Sequence, residues 1–303
     1  MVGSALTQHL LLKGHSVIIL TRRIPEASPV PGIRYALWNI KEQSMDLSIL
    51  RQADHIIHLA GAGVMDHNWT EAYKKEIVES RTLSSKLLVD TLSRHPHTIK
   101  ALISASAIGW YGPDPEQSNL ALTEGFSEDA RPDDHFLGET CRLWEKSIEP
   151  VREMGIRLVT LRLGIVLSHT GGALVEFRNP LRFGIAAILG KGRQVVSWIH
   201  IEDLCRMFLF ALEQDNLNGP YNAVAPVPVS NKTLTLKLAI AMKGRSFIPV
   251  HVPSFIIKIM LGRKSIEVMK SATVSCKKIK EAGFVFLYPS IEAALHELIR
   301  KHI

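Results

Sequence analysis

Apolar and polar positions along the chain follow two rhythms that take turns. Residues 4–12, SALTQHLLL, space their apolar side chains as one face of a helix, and Gly14 just beyond is a suitable stop. Residues 15–21, HSVIILT, form a β-branched run of the kind that fills a buried parallel strand. IRYALWNI (33–40) and ADHIIHLAG (53–61) read as further strands, the second ending in a turn of small residues. Residues 70–94 show the 3.6-residue period of a long amphipathic helix. KALISASAIGWYG (100–112) reads as a strand and loop, 138–154 as a helix, and IRLVTLRLGIVL (156–167) as a strand. After a Gly-rich stretch at 171–193 come VVSWIHIEDL (195–204), a helix through Phe210 and a tail with helices of its own.

Strands and helices that alternate in this way predict βαβ units, hence an α/β fold with a doubly wound parallel sheet covered on both faces. The expected division is a Rossmann-type domain over 1–167, remaining sheet elements and a substrate-side lobe over 168–250, and a small helical domain over 251–303. With 303 residues, 46% of them hydrophobic and 21% charged, the chain has ample material for a core. The net charge of +7 is spread along the sequence, which suits a phosphorylated small-molecule partner better than nucleic acid. Three widely separated cysteines suggest neither a metal site nor a disulfide framework, and a reducing, cytoplasmic setting is expected. No apolar run reaches the length of a membrane span; the greasiest segment, VPSFIIKIML (252–261), is short and contains Pro253 and Lys258.

The opening MVGSALTQHLLLKGHSVIILTRR resembles the second half of a dinucleotide-binding unit. In such a unit a strand runs into a Gly-rich turn and a helix, and the cofactor pyrophosphate rests on the N–H groups at the helix start. Gly3 would be the last glycine of that turn; the first strand and two earlier glycines are not in this sequence. The chain as written is therefore expected to lack a central strand, and to bind its cofactor weakly or be unstable. At the end of the second strand such sites place an acid for a ribose hydroxyl or Arg for a 2′-phosphate. Here Thr21, Arg22 and Arg23 stand there, with no acid before Glu26, which favours NADP(H) over NAD(H). A solvated basic turn is the alternative reading.

Several further motifs occur in a telling order: HLAG (58–61), WTEAYKKEIVESR (69–81), GWYG (109–112), CRLWE (141–145), GKGRQVVSWIHIED (190–203) and GFVFLYPSIEAAL (283–295). Together they resemble the extended short-chain dehydrogenase/reductases, and within them the epimerase family proteins that carry a C-terminal domain of unknown function. The resemblance covers essentially the whole chain. It implies a Rossmann domain that binds NADP, with contacts from Thr21 and Arg22, from Leu59 and Ala60, from Glu76 and Arg81 on the long helix, and from Val166. Ordinary packing would also account for Leu59, Ala60 and Val166, and a solvated helix face for Glu76. Arg81 lies among apolar positions, and a buried Arg needs a partner.

The superfamily's proton relay combines a Ser or Thr with Tyr-x-x-x-Lys, in which the ammonium lowers the tyrosine pKa. Ser106 matches the Ser. If Glu145 aligns with the acid that follows the lysine, Leu137 and Cys141 occupy the Tyr and Lys positions and the dyad is absent. Tyr111 in the same loop as Ser106 is the remaining candidate proton donor. Cys141 reads as a core residue, His200 as one that satisfies a backbone group, and Lys146 as solvated. Arg178, Arg182 and Arg193 are candidates to meet an anionic substrate, with plain surface charge an equal alternative. The expected function is an NADP(H)-dependent oxidoreductase or epimerase-like enzyme acting on a small carbonyl or hydroxyl compound, with Ser106 and Tyr111 polarising the oxygen. The alternative is a cofactor-binding regulatory or interaction protein whose reaction is lost.

Overall fold

A computed structural model describes residues 1–26, 30–115 and 125–300 of the chain. Helix α1 (Val2–Leu12) leads into β1 (Val17–Thr21), which pairs in parallel with β2 (Ile33–Asn39), and β2 pairs with the short antiparallel β3 (Ser44–Met45). The second sheet begins with β4 (His55–His58). Helix α2 (Glu71–Arg94) carries the chain to β5 (Ala101–Ala107), and α3 (Phe136–Ile148) carries it to β6 (Arg157–Leu163). These strands lie in parallel in the order β4-β5-β6, as βαβ crossovers dictate. The α/β class and the parallel doubly wound sheet are as the alternation predicts.

Strand β5 shows how both faces are filled. Ala101, Ile103 and Ala105 point into a core with Leu6 and Leu10 of α1, whereas Leu102 points into one with Leu88 and Leu92 of α2 and Ile148 of α3. A period of two combined with burial on both sides requires the near-continuous apolar run seen in the sequence. Among the described residues, strands β1 and β4 each have a single strand neighbour, and no ladder hydrogen bonds join the two sheets. Both strands nevertheless flank the same cores: Val17 and Ile57 pack on the first, Leu20 and Ile56 on the second. All five β1 residues are only partly buried.

Two elements end earlier than periodicity suggests. The helix expected over 138–154 is α-helical only to Ile148; Glu149–Met154 is a 3-10 turn, because Pro150 has no N–H to give and its ring opposes continuation. The run 156–167 is two strands, β6 and β7 (Ile165–Leu167), broken at Gly164. There the chain leaves its ladder, with Gly164 N–H donating to Ala223 O and Ile165 N–H to Ser197 O. A Cβ on Gly164 would stand 2.8 Å from the Ser197 oxygen, so only glycine permits the change of partner.

The rest of the chain builds outward from that break. Helix α4 (Ala173–Arg182) leads to β8 (Ile185–Leu189), then β9 (Val195–Val196) and β10 (Trp198–His200), which pairs in parallel with β7. Helix α5 (Ile201–Glu213) covers the first core, and β11 (Gly219–Ala223) extends the second sheet beside β6. After β12 (Val229–Ser230) come α6 (Asn231–Lys243) and β13 (Ile248–Val252), which pairs in parallel with β8. The greasy segment forms α7 (Ser254–Leu261), and α8 (Ser265–Met269), α9 (Lys277–Glu281) and α10 (Ile291–Arg300) complete the tail. No helix among the described residues is long and apolar enough to cross a membrane.

Polar anchors fasten this tail. Buried Asp203 accepts from Leu287 N–H at 2.8 Å, Tyr288 N–H at 2.9 Å and Arg206 at 3.1 Å. Asp114 accepts from Ser271, from Thr273 Oγ1 and from Thr273 N–H. His200 accepts from Glu202 N–H on Nδ1, capping α5, and its Nε2 donates to Glu297. That is the backbone-satisfying role expected of it, and burial lowers its pKa against the pull of Glu297.

Candidate active site

The start of α1 and the turn after β4 come together over the first core, where Gly3 lies against Leu59, and β1 ends at Thr21. Thr21 Oγ1 donates to Arg23 O, and Arg23 pairs with Glu26, so the turn is held by its neighbours. Exposed Arg22 has no ion-pair or hydrogen-bond partner among the described residues. Leu59 and Ala60 are partly buried, and a Cβ on Gly3 would be 3.8 Å from Leu59 Cδ1. Val166 packs on the first core, as do Val2, Ala5 and Leu59. Val2, Leu59 and Val166 thus pack on one core, with Gly3 against Leu59, although 107 residues of sequence separate Leu59 from Val166.

Arg81 lies beneath this turn. A Cβ on Gly61 would be 3.0 Å from the guanidinium carbon of Arg81, so the glycine lets the turn pass directly over the side chain. Ala62 N–H is fixed by Ser80 Oγ, one residue away on α2. The Arg81 guanidinium is buried, donates to Ile77 O at 2.8 Å and lies 4.9 Å from the Trp144 ring. No carboxylate pairs with it among the described residues, and burial lowers its pKa. Buried His58 at the end of β4 shares a hydrogen bond with Ser84. Burial, reinforced by Arg81, holds His58 neutral with its pKa down at about 4. Glu76 is exposed on α2, on a different side of the helix from Arg81.

Ser106 and Tyr111 are part of a buried network that sequence reasoning missed. Arg162, on β6, forks onto Glu145 of α3 with two contacts of 2.9 Å, and its third nitrogen donates to Tyr111 Oη at 3.0 Å and to Glu128 O at 2.9 Å. Its guanidinium lies 3.7 Å from the Trp110 ring centre. Ser106 Oγ donates to Glu145 at 2.7 Å; Tyr111 Oη donates to Asn222 at 2.6 Å. Burial opposes the Arg162 charge, but its bonds to Glu145 prevail and raise its pKa. Burial pushes the Tyr111 phenol up to about 12, away from a neutral-pH proton donor. The signal available in the sequence was Arg162 itself, a cation inside an apolar strand that must find an acid.

Leu137 and Cys141, which hold the Tyr and Lys positions if Glu145 aligns with the acid of the family relay, both face Gly109 in the loop after β5. Cys141 is buried 3.6 Å from Ala107 O, and burial pushes its thiol up to about 12. Cys205 and Cys276 are also buried, with thiols raised by the same cause. None of the three thiols is therefore expected to react rapidly with a disulfide reagent in the native protein at pH 8. A colour count before and after unfolding in urea checks this; one fast thiol in the native state would mark an accessible nucleophile. Among the described residues no cluster of His, Cys, Asp or Glu is placed to hold a metal ion. Lys146 is exposed on α3, as expected of a solvated residue. Of the substrate-side arginines, Arg182 and Arg193 are exposed, and Arg178 reaches His169 O with its Nε buried and unbonded.

This arrangement is that of a Rossmann-type nucleotide-binding protein. The model of the NAD dependent epimerase/dehydratase family matches residues 1–224, and a domain of unknown function, DUF1731, matches residues 252–298. The chain belongs to the NAD dependent epimerase/dehydratase family. It is 34% identical to the epimerase family protein YfhF of Bacillus subtilis, over 98% of this chain and 94% of that protein. It is 33% identical to an epimerase family protein of Staphylococcus aureus, over 99% of this chain and 96% of that protein. Among solved structures, human epimerase family protein SDR39U1 with NADPH superposes with a TM-score of 0.85 at 28% identity, covering 99% of this chain and 96% of that one. UDP-glucose 4-epimerase from Thermotoga maritima shares the fold, with a TM-score of 0.76 at 20% identity over 99% and 96% of the two chains.

Proposed function

We propose that the chain binds NADP(H) over the start of α1, the end of β1 and the turn after β4, and acts as an oxidoreductase or epimerase-like protein on a small carbonyl or hydroxyl compound. The observation that carries this reading is a pair of guanidiniums without acid partners, Arg22 exposed at the end of β1 and Arg81 buried beneath Gly61. A 2′-phosphate would supply the anion that Arg22 lacks, through charge-assisted bonds. Arg81 would hold a polar edge of the cofactor from below. Gly3 allows close backbone approach, Leu59, Ala60 and Val166 give apolar contact, and Thr21 gives polar contact at the end of β1. The NADPH held by the human relative favours the same cofactor. When bound, the nicotinamide supplies hydride chemistry; the chain's own residues bind and orient it.

Ser106 is the group proposed to polarise the substrate oxygen, with Tyr111 behind it. To do so, Ser106 would turn its hydrogen away from Glu145. That cost favours a second reading, an NADP(H)-binding regulatory or interaction protein without turnover. Leu137 and Cys141 at the relay positions favour it too.

Cofactor choice is tested by titrating the protein with NADPH and NADH, following tryptophan fluorescence. Arg22→Asp is expected to raise the NADPH Kd at least tenfold and to leave NADH nearly unchanged; an equal effect on both removes Arg22 as the phosphate clamp. A panel of carbonyl compounds, followed by NADPH oxidation, separates the two readings. Binding without turnover across the panel, together with a stable protein partner, would leave only the second.

A further inference from the structure

Lysines and arginines are scattered along the chain, but the net charge is not. No Asp or Glu occurs between Asp215 and Glu267, although seven of the 36 lysines and arginines fall there; the other 29 are matched by the 29 acids of the chain. The net charge of +7 therefore resides in 216–266, the stretch from β11 to the start of α8. Lys237 finds Glu292 and Arg263 finds Glu71, both acids from outside the stretch, and Lys264 is buried against Met65 O. Lys243, Arg245 and Lys258 reach solvent.

The same stretch exposes apolar side chains. Helix α7, the core of the greasiest segment in the sequence, reads SFIIKIML, with Lys258 its one charge, and it buries only Ile257. Phe255 and Ile259, four residues apart, share one face of the helix; Phe255 is 64% exposed, Ile259 78% and the adjacent Met260 72%. Ile266 is exposed on α8, which packs against α7. A helix apolar nearly all round is ordinarily covered. Among the described residues nothing covers this face. The helix is nevertheless held firmly from beneath. A Cβ on Gly190 would lie 3.3 Å from Ser254 Oγ and 2.8 Å from Met269 Cε, so the start of α7 and the end of α8 rest on the loop after β8. Arg263 and Lys264 tie the turn between the two helices to Glu71 of α2 and to Met65 in the turn after β4.

Charge and shape decide what can cover α7. A second copy of the chain would set like charges face to face. An added strand has a poor edge to join: Ile248 N–H points to Gly184 O on the β8 side, so Pro249 takes the outer edge of β13 and has no N–H to offer. The exposed side chains are mainly aliphatic and give nucleic-acid bases little to stack on. An anionic lipid surface matches both features. Its headgroups balance Lys243, Arg245 and Lys258, and its acyl boundary takes Phe255, Ile259 and Met260.

We infer that α7 docks this protein on an anionic lipid surface, lying in the interface without crossing it. The assignment does not depend on the cofactor reading.

Cosedimentation of the full chain with vesicles of phosphatidylglycerol and phosphatidylcholine in equal parts, at low ionic strength, tests it. Binding is expected to these vesicles and not to pure phosphatidylcholine, and it weakens as salt rises. Ile259→Ser and Lys258→Glu are each expected to weaken it roughly tenfold. Lys146→Glu, which reverses an exposed charge on α3, is expected to leave it unchanged. All three side chains are exposed, so the variants are expected to keep the parent's melting temperature. Absence of binding to the anionic vesicles overturns the assignment, as does equal binding to pure phosphatidylcholine or binding that Ile259→Ser leaves intact. Binding to polyglutamate with none to vesicles would instead place an acidic polypeptide on α7. A dimer that Ile259→Ser returns to monomer, again without vesicle binding, would place a second copy there. Either result overturns the lipid.

Discussion

Arg162→Met is expected to destabilise the protein by about 3–5 kcal/mol, because it breaks a buried pair and leaves the other charge uncompensated. Arg162 is 2% exposed and bonds Glu145 twice, Tyr111 once and the Glu128 carbonyl once. Methionine fills much of the volume but replaces none of these donors. The Glu145 carboxylate then keeps only Ser106, and the Glu128 carbonyl loses its charged donor. The double variant Arg162→Met with Glu145→Met is expected to be more stable than the Arg162 variant alone, since no lone charge remains buried. Urea unfolding of the set measures this. A single Arg162 variant within 1 kcal/mol of the parent would show the network to be solvated and its geometry unimportant to the fold. The result also bears on chemistry. If the network is this stiff, Ser106 is not free to turn toward a substrate, and the reading without turnover gains.

Arg81→Met is expected to act in the opposite direction on stability and strongly on ligand binding. The guanidinium is desolvated, it donates to one carbonyl and lies against the Trp144 ring, and no carboxylate among the described residues balances it. A methionine stacked on Trp144 removes that cost, so the chain without ligand should hold or gain stability. Affinity for NADPH is expected to fall about a hundredfold, or ~2.7 kcal/mol, the worth of one desolvated charge-assisted contact. A readout independent of ligand is His58. Arg81 helps hold its imidazole down at about 4, so in the variant its pKa moves upward, visible as a shifted proton NMR titration. Loss of stability without loss of NADPH affinity would mean that Arg81 serves packing alone. A changed affinity with an unmoved His58 titration would mean that the turn over Arg81 had rearranged.

Much of the architecture was legible because periodicity reports burial. Strand β5 reads as a strand for the same reason that it is buried on both faces, and α2 has a polar face where it meets water. The places where reading failed are places where a partner distant in sequence changes a local outcome. Gly164 interrupts an unbroken apolar run because Ser197 and Ala223 offer different ladders on its two sides. Pro150 was visible in sequence, but 3-10 geometry continues in the same direction and conceals the end of the helix.

The candidate site divides in the same way. The sequence alone determined the βαβ order, the basic end of β1 at Arg22, the family motifs and the absence of Tyr-x-x-x-Lys, since each of these rests on neighbours a few residues apart. What only the tertiary structure decided is which charges are balanced. It gives Arg162 the carboxylate of Glu145 and so occupies Ser106 and Tyr111. It gives Arg81 none among the described residues. Coulomb energy and desolvation depend on distance and exposure in space, and neither can be read from the order of residues along a chain.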